Sequence, residues 1–138
     1  MLTIGTLSRQ TGVKIPTIRY YEQMGLMAAA ERSEGNQRRY APHDRDRLSF
    51  IKHARDLGFT IEAIRELLEL SAHPERPCAD ADQIAIRQLQ SVREKIAKLQ
   101  TLETELGRIA TCCHGDHIKD CYVLQSLANH DMCESEHQ

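Results

Sequence analysis

Between Cys78 and Cys112 the sequence has no Pro, and its one Gly, Gly107, falls near the end. Apolar residues recur there at Ala85, Leu89, Val92, Ile96, Leu99, Leu102, Leu106 and Ile109. The steps alternate mostly between four and three, which is one stripe along an α-helix with heptad character. A helix of this length within a 138-residue chain cannot be covered on all sides by the remainder. The stripe therefore predicts packing against a second copy, that is, a homodimer.

The cysteines sharpen that expectation. Cys78 stands just before the helix, and Cys112 and Cys113 stand just after it. At about 1.5 Å per residue a straight helix holds its two ends roughly 50 Å apart, so one chain cannot bring both to one ion. An antiparallel dimer can. The geometry points to a shared metal site, with Cys112, Cys113, His117 and Cys121 from one chain and Cys78 from the other.

Composition narrows the class. There is no Trp and aromatics are scarce, so aliphatic helices are favoured over a large sheet core. No apolar run approaches the roughly 20 residues that span a bilayer. The first residues show no basic stretch leading into a long apolar run. The expectation is a cytoplasmic protein without a membrane partner, in which clustered thiols stay reduced and serve metal or redox chemistry. No nucleophile–base or carboxylate pair stands out, so an enzyme is not expected. The net charge of −2 conceals an asymmetry. Residues 1–60 carry ten Lys/Arg against six Asp/Glu, and the rest carries eight against fourteen. A basic head on an acidic body suits binding to a polyanion.

In the head, Ile4, Leu7 and Val13 supply an apolar face, and Gly12 suits a helix C-terminus. A second short helix follows, with Pro16 in its first turn and Gly25 past its end. Two short helices joined by a Gly-containing turn form a helix-turn-helix. Its second helix carries Thr17, Arg19 and Tyr20, with Arg19 and Tyr20 able to reach phosphates or base edges. Ile18 and Tyr21 are assigned to the core instead. Gly35-Asn36 is a turn signal between short segments. It predicts a β-hairpin wing in which Arg32, Asn36, Arg38, Arg39 and Tyr40 lie beside the helix-turn-helix and contact DNA. Residues 43–57 read as a helix with Leu48, Phe50, Ile51 and Leu57 as apolar positions. Thr60 can cap another, striped by Ile61, Ile64, Leu67 and Leu68. Pro74 and Pro77 mark a hinge. The expected organisation is a DNA-binding domain with connector helices over 1–72, a hinge over 73–78, and a dimerisation helix over 79–110. A metal-binding loop with a short helix over 111–128 and a tail over 129–138 complete it.

These residues resemble the MerR family of transcriptional regulators over nearly the whole chain. The matching blocks are Ile4-Gly5, Thr11-Gly12-Val13, Thr17 through Glu22 with Gly25-Leu26, Arg38-Arg39-Tyr40, and Phe50-Ile51 through Leu57-Gly58-Phe59. Family members often have Gly where this chain has Asn36, which tolerates the same left-handed turn. The resemblance implies a mainly α fold: a winged helix-turn-helix, a long antiparallel dimerisation helix and a C-terminal metal loop with a short helix. It also implies double-stranded promoter DNA and RNA polymerase as partners. Family promoters have an over-long spacer, and the effector-bound dimer distorts that DNA so that repression becomes activation.

Residues 111–124 hold Cys112, Cys113, His114, His117 and Cys121, a dense set of borderline-to-soft ligands. The Cys113–Cys121 spacing, with Gly115-Asp116 and Asp120 inside it, resembles the family's copper(I) sensors. Two features point to divalent ions. Cys78 stands where the monovalent-ion sensors have Ser. Cys112-Cys113 with His117 resembles the zinc sensors, whose loop is one residue longer before its last Cys. Two thiolates suffice for Cu⁺, whereas three or four N/S ligands suit a tetrahedral divalent ion. Zn²⁺ or Cd²⁺ is therefore expected, with Pb²⁺ next and Cu⁺ as the alternative. The tail reads either as a polar terminus or as a second ligand set of His130, Cys133 and His137, with His114 as a further candidate. A thiol switch using Cys112 and Cys113, or a metal buffer without DNA binding, would be the competing functions.

Overall fold

The computed structural model describes residues 1–28, 30–32, 34–35, 38–111, 117–118 and 121–129, without the Arg38 side chain. The described chain is mainly helical. Strand β1 (Leu2–Thr3) leads into helices α1 (Ile4–Thr11) and α2 (Ile15–Gln23). Strands β2 (Glu31–Arg32) and β3 (Arg38–Tyr40) follow, then α3 (Pro42–Asp56), α4 (Ile61–Ser71), α5 (Ala79–Thr111) and α6 (Tyr122–Ala128). Two compact units divide the chain at Ala85/Ile86, inside α5.

The first unit is a helix-turn-helix with a wing. Thr3 Oγ1 accepts from the Thr6 N–H at 3.1 Å and caps α1. Gly12 ends α1 at φ 75°, donating its N–H to the Ser8 carbonyl at 2.8 Å. Inside the turn, Thr11 Oγ1 donates to the Leu7 carbonyl at 2.8 Å and accepts from the Val13 N–H at 3.3 Å. This short hydroxyl relay bridges the end of α1 and the turn that leads to α2. Pro16 lies in the first turn of α2, where no N–H is needed. Arg47 of α3 donates through Nε to the Leu26 carbonyl at 2.6 Å and ties down the chain leaving α2.

The wing is a three-stranded antiparallel sheet in the order β1-β3-β2. Leu2 pairs with Tyr40 and Thr3 with Arg39, while Glu31 pairs with Arg39 and Arg32 with Arg38. The hairpin was expected, whereas the edge strand β1 was not. Two residues are too short a run to show period-2 alternation.

The core of this unit contains Leu7, Ile18, Leu26, Tyr40, Leu48, Ile51 and Ile64, all without exposed surface. The α3 stripe differs in part from the expected one. Leu48, Ile51 and Ala54 are buried, whereas Phe50 is 38% and Leu57 66% exposed. Positions 48, 51 and 54 advance by three and stay on the α1 side, and Phe50 falls off that line. Helix α4 starts at Thr60, whose Oγ1 accepts from the Ala63 N–H at 3.0 Å, and it buries Ile64 and Leu68.

The second unit, Ile86–Gln138, contains most of α5 together with α6. Gly107 does not interrupt α5, which runs on to Thr111. Of the apolar stripe, Leu89, Ile96, Leu99 and Leu106 are exposed within the single chain, and Ile109 is buried. Near the end of α5, the buried Glu105 accepts from Arg108 Nη2 at 2.9 Å. The Arg108 guanidinium also donates to the Tyr122 hydroxyl and lies 5.8 Å from that ring's centre, joining α5 to α6. The hydrogen bond to Glu105 raises the Arg108 guanidinium above its ordinary range. Among the described residues no helix is long and apolar enough to cross a membrane.

Candidate nucleic-acid interface and metal-ligand positions

Helix α2 divides its side chains between core and solvent. Ile18 and Tyr21 face the core. Arg19 and Tyr20 are exposed, and Thr17 is half-buried near the start of the helix. The Tyr20 ring rests at 5.9 Å and a 52° tilt against that of Tyr21. That contact leaves Tyr20 47% exposed, with its edge free to meet a ligand.

In the wing, Arg32 is exposed on β2 and sits directly opposite Arg38 in the ladder. Asn36 lies outside the described residues.

Tyr40 corrects an expectation. It is fully buried, and its hydroxyl donates to the Glu22 carboxylate of α2. The physical reason is strand alternation. Arg39 and Tyr40 point to opposite faces, and the partner of Tyr40 in the register is Leu2. The residue holds β3 against α2 from inside and offers no surface to DNA.

Three cations were missed. Lys14, Lys52 and Arg55, with Gly12, Thr17 and Asp56, line an open hollow of about 210 Å³ beside the start of α2. Lys52 Nζ lies 3.1 Å from Asp56, and Arg55 Nη1 donates to the Phe59 carbonyl at 2.7 Å. Lys52 and Arg55 are three apart on α3, so their helical spacing was the available signal. They are far from α2 in sequence, and only the fold brings them to it.

Among the candidate metal ligands, Cys78 is an exposed thiol at the start of α5. Its carbonyl accepts the Asp82 N–H at 3.0 Å, the first bond of the helix. The thiol lies at the edge of an apolar hollow of about 320 Å³ whose walls include Phe50, Leu67, Leu70 and Pro77. Cys121 is half-buried at the N-terminus of α6, with its N–H on the Ile118 carbonyl at 3.1 Å. His117 is exposed. Cys112, Cys113, His114, His130, Cys133 and His137, and with them Asp116 and Asp120, lie outside the described residues. Among the described residues no three His, Cys, Asp or Glu side chains gather as a complete ion site. Cys78 belongs to the first compact unit, and His117 and Cys121 to the second.

The model of the MerR HTH family regulatory protein matches residues 2–71, and that described as MerR, DNA binding, matches residues 45–109. The HTH-type transcriptional regulator ZntR of Escherichia coli (strain K12) is 40% identical over 130 residues, covering 92% of each chain. Heavy metal-dependent transcription regulator 2 of Rhizobium meliloti (strain 1021) is 39% identical over 128 residues, which is 93% of this chain and 87% of that one. The crystal structure of the transcription regulator PbrR691 from Ralstonia metallidurans CH34 in complex with lead(II) superposes with a TM-score of 0.79 at 35% identity, over 92% of this chain and 99% of that one. With helix-turn-helix, wing and long helix all in place, this chain belongs to the MerR family of helix-turn-helix transcriptional regulators, a non-enzymatic class.

Proposed function

We propose that this protein is a metal-responsive transcription regulator that senses a divalent borderline or soft ion, Zn²⁺ or Cd²⁺ first and Pb²⁺ next. Acting in the cytoplasm as a homodimer, it switches on a metal-resistance or efflux promoter by distorting its DNA for RNA polymerase. Relatives alike over nearly their full length are named for heavy-metal dependence, and one was crystallised with lead(II).

The observation that carries the reading is the exposed stripe of α5 with an exposed thiol at its head. Leu89, Ile96, Leu99 and Leu106 form an apolar face that a single chain leaves in water. Pairing two such helices antiparallel buries that face and puts the Cys78 thiol beside the far end of the partner's helix. Cys112, Cys113, His117 and Cys121 of one chain, with the partner subunit's Cys78, offer soft and borderline donors from which a tetrahedral divalent ion would draw its four ligands. His114, His130, Cys133 and His137 supply a secondary set. When bound, the ion cross-links the two subunits. The protein's own part is then to pass that constraint to the DNA-binding units.

At the DNA, Thr17, Arg19 and Tyr20 of α2 enter a groove, while Arg32, Asn36 and Arg38 of the wing hold phosphates. The basic hollow of Lys14, Lys52 and Arg55 adds further cations beside the start of α2. Tyr40 is removed from this list because it is buried.

The spacing of Cys113 and Cys121 favours a second reading, copper(I) sensing through two thiolates. Element-resolved metal content of the purified dimer, with competition between zinc, cadmium, lead and copper(I), separates the two. Cys78→Ser should weaken the divalent-metal response at least tenfold while operator affinity in the absence of metal stays unchanged. An undiminished zinc and cadmium response would contradict the shared site. Binding of no metal at sub-micromolar concentration would favour a thiol switch instead.

A further inference from the structure

Helix α5 opens with two carboxylates in its first turn, Asp80 and Asp82, and they are differently engaged. Asp80 is held by Arg76, whose Nη2 is 2.9 Å from Oδ2. Asp82 lies one helical turn beyond Cys78, whose thiol donates a hydrogen bond to its Oδ1 with Sγ 3.8 Å away. Both residues are exposed. The spacing of four residues places sulfur and oxygen on one face of the helix, as in other helical chelating pairs.

The separation has chemical meaning. Zinc bonds of about 2.3 Å to sulfur and 2.0 Å to oxygen, at the tetrahedral angle, set the two ligand atoms roughly 3.5 Å apart. The Sγ–Oδ1 pair is within a few tenths of an ångström of such an edge before any ion arrives. We propose that Asp82 is an oxygen ligand to the ion held by Cys78, and that it biases the site toward divalent cations over copper(I). This rests on the metal reading above and adds to it a residue outside the Cys/His set.

The bias has two sources. A carboxylate is a harder donor than thiolate or imidazole, and it is better matched to Zn²⁺ or Cd²⁺ than to a soft monovalent ion. It also adds a negative charge, which a dication neutralises more fully than a monocation does. Cu⁺ is already satisfied by two thiolates and gains little from a carboxylate at the edge of its shell.

The test compares the full-length dimer with its Asp82→Asn, Asp80→Asn and Cys78→Ser variants. Each is titrated with Zn²⁺ and with Cu⁺ against a competing chelator under reducing conditions. The visible absorption of the Co²⁺-loaded protein reports the donor set independently of transcription. Asp82→Asn should lower zinc affinity by about ten- to a hundredfold, change copper(I) affinity by less than about twofold, and shift the Co²⁺ bands. Asp80→Asn should leave all three readouts where they are, because that carboxylate is turned to Arg76. Zinc binding as tight as wild type with an unaltered Co²⁺ spectrum in Asp82→Asn would overturn the assignment. Equal losses in Asp80→Asn and Asp82→Asn would also overturn it, since that would be a general charge effect. Failure of the unaltered protein to bind any of these metals would overturn the metal reading and this assignment with it. That result is distinguishable, because it appears before any variant is made.

Discussion

Tyr40 shows how a single side chain can be read correctly by type and wrongly by position. Arg38-Arg39-Tyr40 resembles a basic strip with an aromatic, the composition that nucleic-acid surfaces favour. In the strand, alternation turns Tyr40 inward, where it fills the core and hydrogen-bonds Glu22. Tyr20, on a helix, has no such constraint and stays exposed beside Tyr21. Tyr40→Phe therefore belongs to stability. It should lower the unfolding free energy by about 1–3 kcal/mol, as expected for a lost bond to a charged acceptor, with the denaturant midpoint as the measure. The salt dependence of operator binding should keep its slope, because no phosphate contact is removed. A flattened slope would restore Tyr40 to the DNA surface.

At the scale of elements, most of the architecture was legible because local chemistry and tertiary packing agree. Gly12, Gly25 and Gly58 all have positive φ just past α1, α2 and α3. Thr3 and Thr60 cap the helices they precede. Pro16 and Pro42 sit at helix starts. What was not legible depends on distant partners: β1 exists only because β3 offers it an edge, and Lys52 and Arg55 reach α2 only after α3 folds back. Gly107 in α5 is the clearest local conflict. It lies inside a 33-residue helix, and a Cβ there would meet nothing within 4 Å in the single chain. Gly107→Ala should stabilise the protein by about 0.5–1 kcal/mol through helix propensity, read as a raised thermal midpoint. A lowered midpoint would mean that a partner helix covers this position too closely for a methyl group.

For the molecule as a whole, the proposed function combines the uneven charge with the exposed stripe of α5: a basic head for DNA and a body that a second copy would complete. Leu99 is 64% exposed in one chain. Leu99→Asp would cost an isolated chain almost nothing, yet it would place a charge in the buried seam of a pair. Sedimentation should show dimers for the unaltered protein and at least a tenfold weaker self-association for the variant. Equal behaviour would remove the helix pairing. The candidate metal ligands stand out in the sequence as a cluster with Cys78 apart from it, and their meeting was an expectation from helix length alone; of the proposed set the structure describes Cys78, His117 and Cys121, which belong to different compact units.

The boundary between the compact units falls at Ala85/Ile86, seven residues after Cys78. On the metal reading, that boundary decides what a chimera would inherit. A graft cut there, exchanging everything C-terminal for the same half of another regulator, would leave Cys78 and Asp82 with the DNA-binding donor. Ion preference would then be a hybrid of the two parents, and transplanting the sensing half intact would require a cut upstream of Pro77.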